Sequence, residues 1–312
     1  MQILGKSNFN FIKWRWHAIA LSTAIIVIGI GQIIAQGGPK LGVDFSGGTA
    51  MVRKFQQPVT EDTVRTALAS LPGEKTVQRY GNPADNTILI RLPQTITTEE
   101  GTKLDDSADR VDALLRANVG PFTPESTDIV GPVVGDDLQR KGIYATLAAL
   151  AGIMVYIGFR FRFTFAAGAI VATMHDVLIA LVMLNWFNYE LSLNIIAALL
   201  TMTGYSVNDT IVVFDRVREN ARTMRKESLD AQVNTSVNQT LSRTVITAGT
   251  TFLAVFGLYM YGGEVLEGFA FTMLIGIVAG TYSTVFIAAA IAILLTGKPR
   301  SAASAAAKRS KT

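Results

Sequence analysis

The stretch Leu191–Phe214, LSLNIIAALLTMTGYSVNDTIVVF, decides the architecture. It holds one charged residue, Asp209, in a run long enough to cross a hydrocarbon core, which takes about 20 apolar residues as helix. Working outward, five more runs qualify: Ala18–Ala35, Ile143–Phe159, Phe163–Trp186, Val245–Tyr261 and Phe269–Thr296. Buried helices of a soluble protein could imitate one such run but not the set. The composition agrees: 49% of the 312 residues are hydrophobic and 17% charged, against about 25% charged in soluble domains. A soluble enzyme and a disordered chain are both excluded.

Charge gives the orientation. Lys6, Lys13 and Arg15 precede the first run, and Arg160 and Arg162 lie between the second and third. Arg216, Arg218, Arg222, Arg225 and Lys226 follow the fourth, and Lys298, Arg300, Lys308, Arg309 and Lys311 follow the sixth. The opposite connections, 188–190 and 262–267, carry no Lys or Arg. The positive-inside rule then places both termini in the cytoplasm. The net charge of +4 describes topology, and no nucleic-acid partner is expected. The first run exceeds a signal peptide's apolar core of roughly 7–15 residues and is read as retained.

These readings divide the chain into a cytoplasmic tail (1–17), a first span (18–36), an outer domain (37–141), spans two to six (142–297) and a disordered cytoplasmic tail (298–312). The outer domain alternates. A strand is expected over Val43–Phe55 with a bulge at Gly47–Gly48, then a helix capped by Thr60 and running to Ser70. Strands Thr76–Tyr80 and Thr87–Leu92 flank an Asn-Pro-x-Asp turn. A helix from Thr98 to Asn118 and a strand Thr127–Val134 complete β-α-β-β-α-β, a ferredoxin-like α+β order. Asp105, Asp106, Asp109 and Asp112 read as a solvated helix face. The expected fold is thus six transmembrane helices with one ferredoxin-like domain between helices one and two.

Conventional catalysis has little to stand on. There is no cysteine, so thiol chemistry and thiolate metal sites are excluded. His17 and His175 lack companions for zinc. Gly5-Lys6-Ser7 lacks the earlier glycine of a phosphate-binding loop. No catalytic residue, metal or cofactor is expected.

What remains is polar chemistry inside the spans, where an ionised side chain costs at least ~2.5–3.5 kcal/mol. Thr201, Tyr205, Asn208 and Asp209 share one helical face. Thr240, Thr244, Thr247 and Thr251 form a stripe on the next span beside Arg243, and the two faces are expected to meet in the bundle interior. His175 and Asp176 sit in span three, and Gly276 and Gly280 in span six form a close-packing pair. The threonines also fit a stripe bonded to its own preceding turn, and Arg243 also fits an interfacial anchor. A buried carboxyl beside a mobile Arg is a physical route to proton coupling. The candidate coupling residues are therefore Asp209, Arg243, Asn208, His175 and Asp176.

Four motifs carry a family resemblance. GVDFSGGT (42–49), VGPVVG (130–135), GYSVNDTIVVFDRVREN (204–220) and LSRT (241–244), together with His175-Asp176, resemble the SecD/SecF family of bacterial Sec export subunits, on its SecF side. The resemblance runs from Trp14 to about Leu295. Its motif residues here are Asp44, Gly47, Gly48, Asp215 and Arg216, and the family's proton-linked residues match Asp209 and Arg243. It implies the architecture of the resistance–nodulation–division superfamily. It further implies an inner-membrane location, a separate SecD partner, association with the SecYEG translocon, and use of the proton-motive force to move exported preproteins. A small-molecule exporter of the same superfamily and a passive scaffold for the partner are the alternatives.

Overall fold

The computed structural model describes residues 8–71, 75–80, 85–92, 104–130 and 132–296. Residues 1–7 of the expected N-terminal tail, with its Gly5-Lys6-Ser7 segment, the expected C-terminal tail, the turn at Asn82-Pro83 and the start of the second outer helix at Thr98 lie outside them. Helix α1 (Arg15–Ala35) is followed by a one-turn helix, α2 (Val43–Ser46), and strand β1 (Gly48–Phe55). Then come α3 (Glu61–Ala67), β2 (Thr76–Arg79), β3 (Thr87–Leu92), α4 (Leu104–Asn118) and β4 (Phe122–Val130). The remaining helices are α5 (Pro132–Arg160), α6 (Phe163–Trp186), α7 (Leu193–Thr223), α8 (Leu229–Tyr261) and α9 (Glu264–Ser283). A π-helical turn (Thr284–Ala288) joins α9 to α10 (Ala289–Thr296).

Among the described residues, six helical segments are long and apolar enough to cross a membrane. The inner positions belong to α6, α7 and the α9–α10 unit, while α1, α5 and α8 expose most of their apolar surface. Small residues set the spacing of the inner helices. A Cβ added at Gly276 would come within 2.4 Å of Met202 Sδ, and one at Gly280 within 2.8 Å of Ser206 Cβ. Gly168 lies as close to the backbone of the π-helical turn, where a Cβ would meet Ala288 O at 2.6 Å. The glycine pair in span six thus packs as its spacing suggested.

The outer domain is a four-stranded antiparallel sheet in the order β2-β3-β1-β4, the ferredoxin-like arrangement. Met51, Phe55, Ile88, Ile90 and Phe122 point from the sheet toward Val64, Leu68, Val111 and Leu115 of its helices. Ala50, Val52 and Leu89 form a second, smaller cluster with Val43 on the other face.

The helices of the first two spans begin earlier than the sequence reading, at Arg15 and Pro132, α3 ends at Ala67 and not Ser70, and two boundaries of the outer sheet differ as well. Residues 43–46 are helical, and β1 begins at Gly48. Gly47 and Gly48 are not a bulge within a strand but the turn between helix and strand, with φ of 65° and 108°. That region favours glycine because an L-residue's Cβ clashes there. The last strand starts at Phe122, five residues before the expected Thr127, and ends before Pro132. β4 is an edge strand, so Pro124 costs no ladder bond and its polar, exposed residues imitate a loop. Pro132 opens α5, where its missing N–H is an orphan in any case.

Candidate functional site

Span four places its polar residues on two sides. Met202, Thr203, Ser206, Val207 and Thr210 are buried against the inner helices, whereas Thr201 and Asn208 are exposed and Tyr205 and Asp209 half-buried. The face expected in the bundle interior therefore lies at the bundle's open side. The reason is the Gly276 and Gly280 contact, which draws the Met202–Ser206 face inward and leaves its opposite pointing out.

Asp209 does meet span five there. Thr244 Oγ1 donates to Asp209 Oδ1 at 2.8 Å, while Oδ2 is buried with no hydrogen-bond partner among the described residues. Arg243 precedes Thr244 and lies within electrostatic reach of Asp209. It is exposed and makes no ion pair with Asp209. The other stripe residues behave as the plain reading has it. Thr240, Thr247 and Thr251 donate to carbonyls of their own preceding turn.

The interior holds a different polar centre. Asp176 is wholly buried. Its Oδ2 accepts from Ser206 Oγ at 2.5 Å and Ser283 Oγ at 2.8 Å, and its Oδ1 lies 3.0 Å from His175 Nδ1. Three helices thus converge on one carboxylate. One turn further, Thr210 and Thr284 hydroxyls pair at 2.8 Å. The His175 ring stacks on Tyr282, whose hydroxyl donates to Ala18 O at 2.5 Å. Ser206, Ser283 and Thr284 were missed from the sequence. Ser206 stands three residues before Asp209, but serine in an apolar helix carries no signal of a partner.

The remaining motif residues are structural joints. Asp215 takes a two-oxygen pair from Arg160 Nη2 at 3.1 and 2.9 Å, joining α7 to α5. Arg216 binds Glu219 Oε2 and Gln239 Oε1, both at 2.6 Å. Asp44 Oδ2 accepts from the Leu193 N–H, at the first residue of α7, at 2.8 Å.

Above the bundle, the outer sheet stands over the α6–α7 turn with a cavity of about 830 Å³ between them. Arg91 on β3 pairs with Glu190 on the turn, and burial holds its guanidinium down to about 10. Tyr189 donates to Glu267 at 2.5 Å, and burial first, then that bond, pushes its hydroxyl pKa up. Burial and the nearby Asp44 charge raise the carboxyl of Asp128.

Fold and site define a class: a multi-pass membrane protein of six spans with one outer α+β domain and an ionisable group on the open face of its bundle. The family can be stated as well. Residues 111–298 match the family "Protein export membrane protein SecD/SecF, C-terminal", and the chain belongs to it. It is 42% identical to a protein translocase subunit SecF of Thermodesulfovibrio yellowstonii, covering 95% of this chain and 97% of that one. Against the Escherichia coli O157:H7 protein of the same name the identity is 38%, over 93% and 89%. The crystal structure of SecDF from Thermus thermophilus, described as a translocon-associated membrane protein, superposes with a TM-score of 0.82 at 34% identity. It covers 93% of this chain, which spans 39% of that longer one.

Proposed function

We propose that this chain is the SecF-type subunit of a protein translocase in the bacterial inner membrane, with both termini cytoplasmic and no enzymatic step of its own. A SecD-type chain, corresponding to the rest of the fused Thermus relative, is its partner. The pair acts beside the SecYEG translocon on exported preproteins, and the proton-motive force drives it.

The observation that carries the reading is the placement of Asp209. It stands within span four at the bundle's open side, bonded through one oxygen to Thr244, with Arg243 near and unpaired to it and Asn208 exposed on the same face. Charge at that depth is costly in lipid, so a partner bundle is the natural cover. An uncovered Asp209 is cheapest as the neutral acid, and one facing the Arg243 guanidinium is cheapest ionised. A movement that brings Arg243 in and out therefore exchanges a proton, and the side to which Asp209 opens sets the direction. His175 and Asp176 form the fixed inner centre against which α7 would shift.

The test is export of a model preprotein with and without a proton gradient, with co-purification of the partner as a control. Asp209→Asn keeps shape but cannot titrate, and is expected to assemble normally and lose the gradient's contribution. A gradient-responsive Asp209→Asn would overturn the proton role, leaving the chain a passive scaffold.

A further inference from the structure

The segment between α1 and β1 makes a joint whose parts point to a role for Asp44. Two main-chain bonds dock it on the α6–α7 turn: Leu191 N–H donates to Lys40 O at 2.8 Å, and Gly42 N–H to Leu191 O at 2.7 Å. Gly42 is required there, since a Cβ would meet Leu191 O at 2.9 Å. Beyond it, α2 turns the Asp44 carboxylate onto the Leu193 N–H. Ser192 caps the same helix by accepting from Ile195 N–H at 3.3 Å. The first turn of α7 is thus held by one acceptor of its own and one supplied from 149 residues away.

Asp44 is rigidly attached at both ends of this link. On one side it stands four residues before β1, an inner strand of the outer sheet. Gly135 of α5 packs on the intervening turn, its Cβ position 3.1 Å from Gly47 N. On the other side, α7 continues unbroken from Leu193 to Thr223. At 1.5 Å per residue, Asp209 lies about 24 Å down that same helix.

We propose that Asp44 is a positioning residue for Asp209: bonded to Leu193, it makes the outer domain and helix α7 move as one body. The inference rests on the proton role argued for Asp209 above. Displacement of β1 by a bound chain would then reach Asp209, and protonation of Asp209 would reach the outer domain. The contact cannot act on Asp209 through its charge. Helix-terminus effects fade within a turn, and Asp44→Asn removes the charge while keeping an acceptor for Leu193. A change at Asp209 seen in Asp44→Ala and not in Asp44→Asn is therefore transmitted by position.

The experiment uses the full chain with its partner in membranes and reads two quantities: gradient-driven export, and the pH profile of carbodiimide reaction at Asp209. Asp44→Ala is expected to cut gradient-driven export about fivefold, the weight of one capping bond, and to displace the pH profile. Asp44→Asn, whose amide oxygen can still accept from Leu193, is expected to retain both. The chain has no cysteine, so Leu41→Cys with Leu191→Cys gives a clean lock. These residues form a parallel bridge, and paired strands lie about 4.8 Å apart, within disulfide reach. Closing that disulfide is expected to restore Asp44→Ala and to leave the otherwise native chain active.

Native export and an unchanged pH profile in Asp44→Ala would overturn the proposal. So would loss of export when the lock closes in the otherwise native chain, because the joint would then have to open in each cycle. Should Asp44→Ala fail to accumulate, the lock alone decides. If Asp209→Asn loses the gradient response while Asp44→Ala keeps it, only this inference fails. If Asp209→Asn keeps it, both fail.

Discussion

Removing the carboxylate of Asp112 should undo the outer domain, and the structure gives the size of the effect. Arg53 on β1 is buried among Met51, Phe55 and Phe122, 1% exposed. Its guanidinium uses every donor: Nε and Nη2 to the Asp112 oxygens at 2.7 and 3.1 Å, Nη2 to Thr127 Oγ1 at 3.0 Å, and Nη1 to Val52 O and Ser126 O at 3.1 and 2.7 Å. Asp112→Ala deletes the anion paired with Arg53 and strands a buried cation, which costs about 3–5 kcal/mol. A domain of this size holds about 5–15 kcal/mol in total. At roughly 4–8 °C per kcal/mol for 60–100 residues, the lower figure alone is on the order of 12–24 °C. The assay is proteolysis of the outer domain in the detergent-solubilised full chain across a urea series. Arg53→Met combined with Asp112→Leu should be milder than Asp112→Ala, since no charge is left behind. The reasoning is refuted if Asp112→Ala unfolds within about 1 kcal/mol of the native chain, the range of an exposed ion pair.

Three further outcomes are expected. Asp128 has a raised carboxyl pKa, so folding favours its protonated form, and its penalty appears as pH rises from the unfolded value through the folded one. Asp128→Asn should therefore stabilise the outer domain at pH 7 and lose that advantage near pH 3, read from urea midpoints at the two pH values. Gly280→Val forces side-chain atoms into Ser206 and should cost about 1–3 kcal/mol as overpacking, with a lower thermal midpoint in detergent; an unchanged midpoint would refute the close approach of α7 and α9. In the cysteine-free background, an impermeant thiol reagent added to spheroplasts should label Asn118→Cys and spare Lys226→Cys, and the reverse pattern would invert the proposed orientation.

Much of this protein is legible along the chain, because a membrane demands that each span be apolar over its own length. The six spans, the α+β order of the outer domain and the anomaly of Asp209 are local facts. So is the cap at Thr60, which accepts from Thr63 N–H at 3.3 Å. Pairings between distant residues are not local. Asp112 read as part of a solvated acidic face because periodicity shows which residues share a side, not what another element brings to it. Arg53, 59 positions away, arrives only when β1 packs on α4. The Asp176 centre needs Ser206 and Ser283, 30 and 107 positions off, and Asp44 finds Leu193 across 149. Sequence determined that α7 carries a carboxyl in an apolar run. Only tertiary packing decided that Gly276 and Gly280 would pull the opposite face inward, leaving Asp209 at the open side. Side chains of similar polarity on two faces of one helix differ only in which face the neighbouring helix can approach more closely.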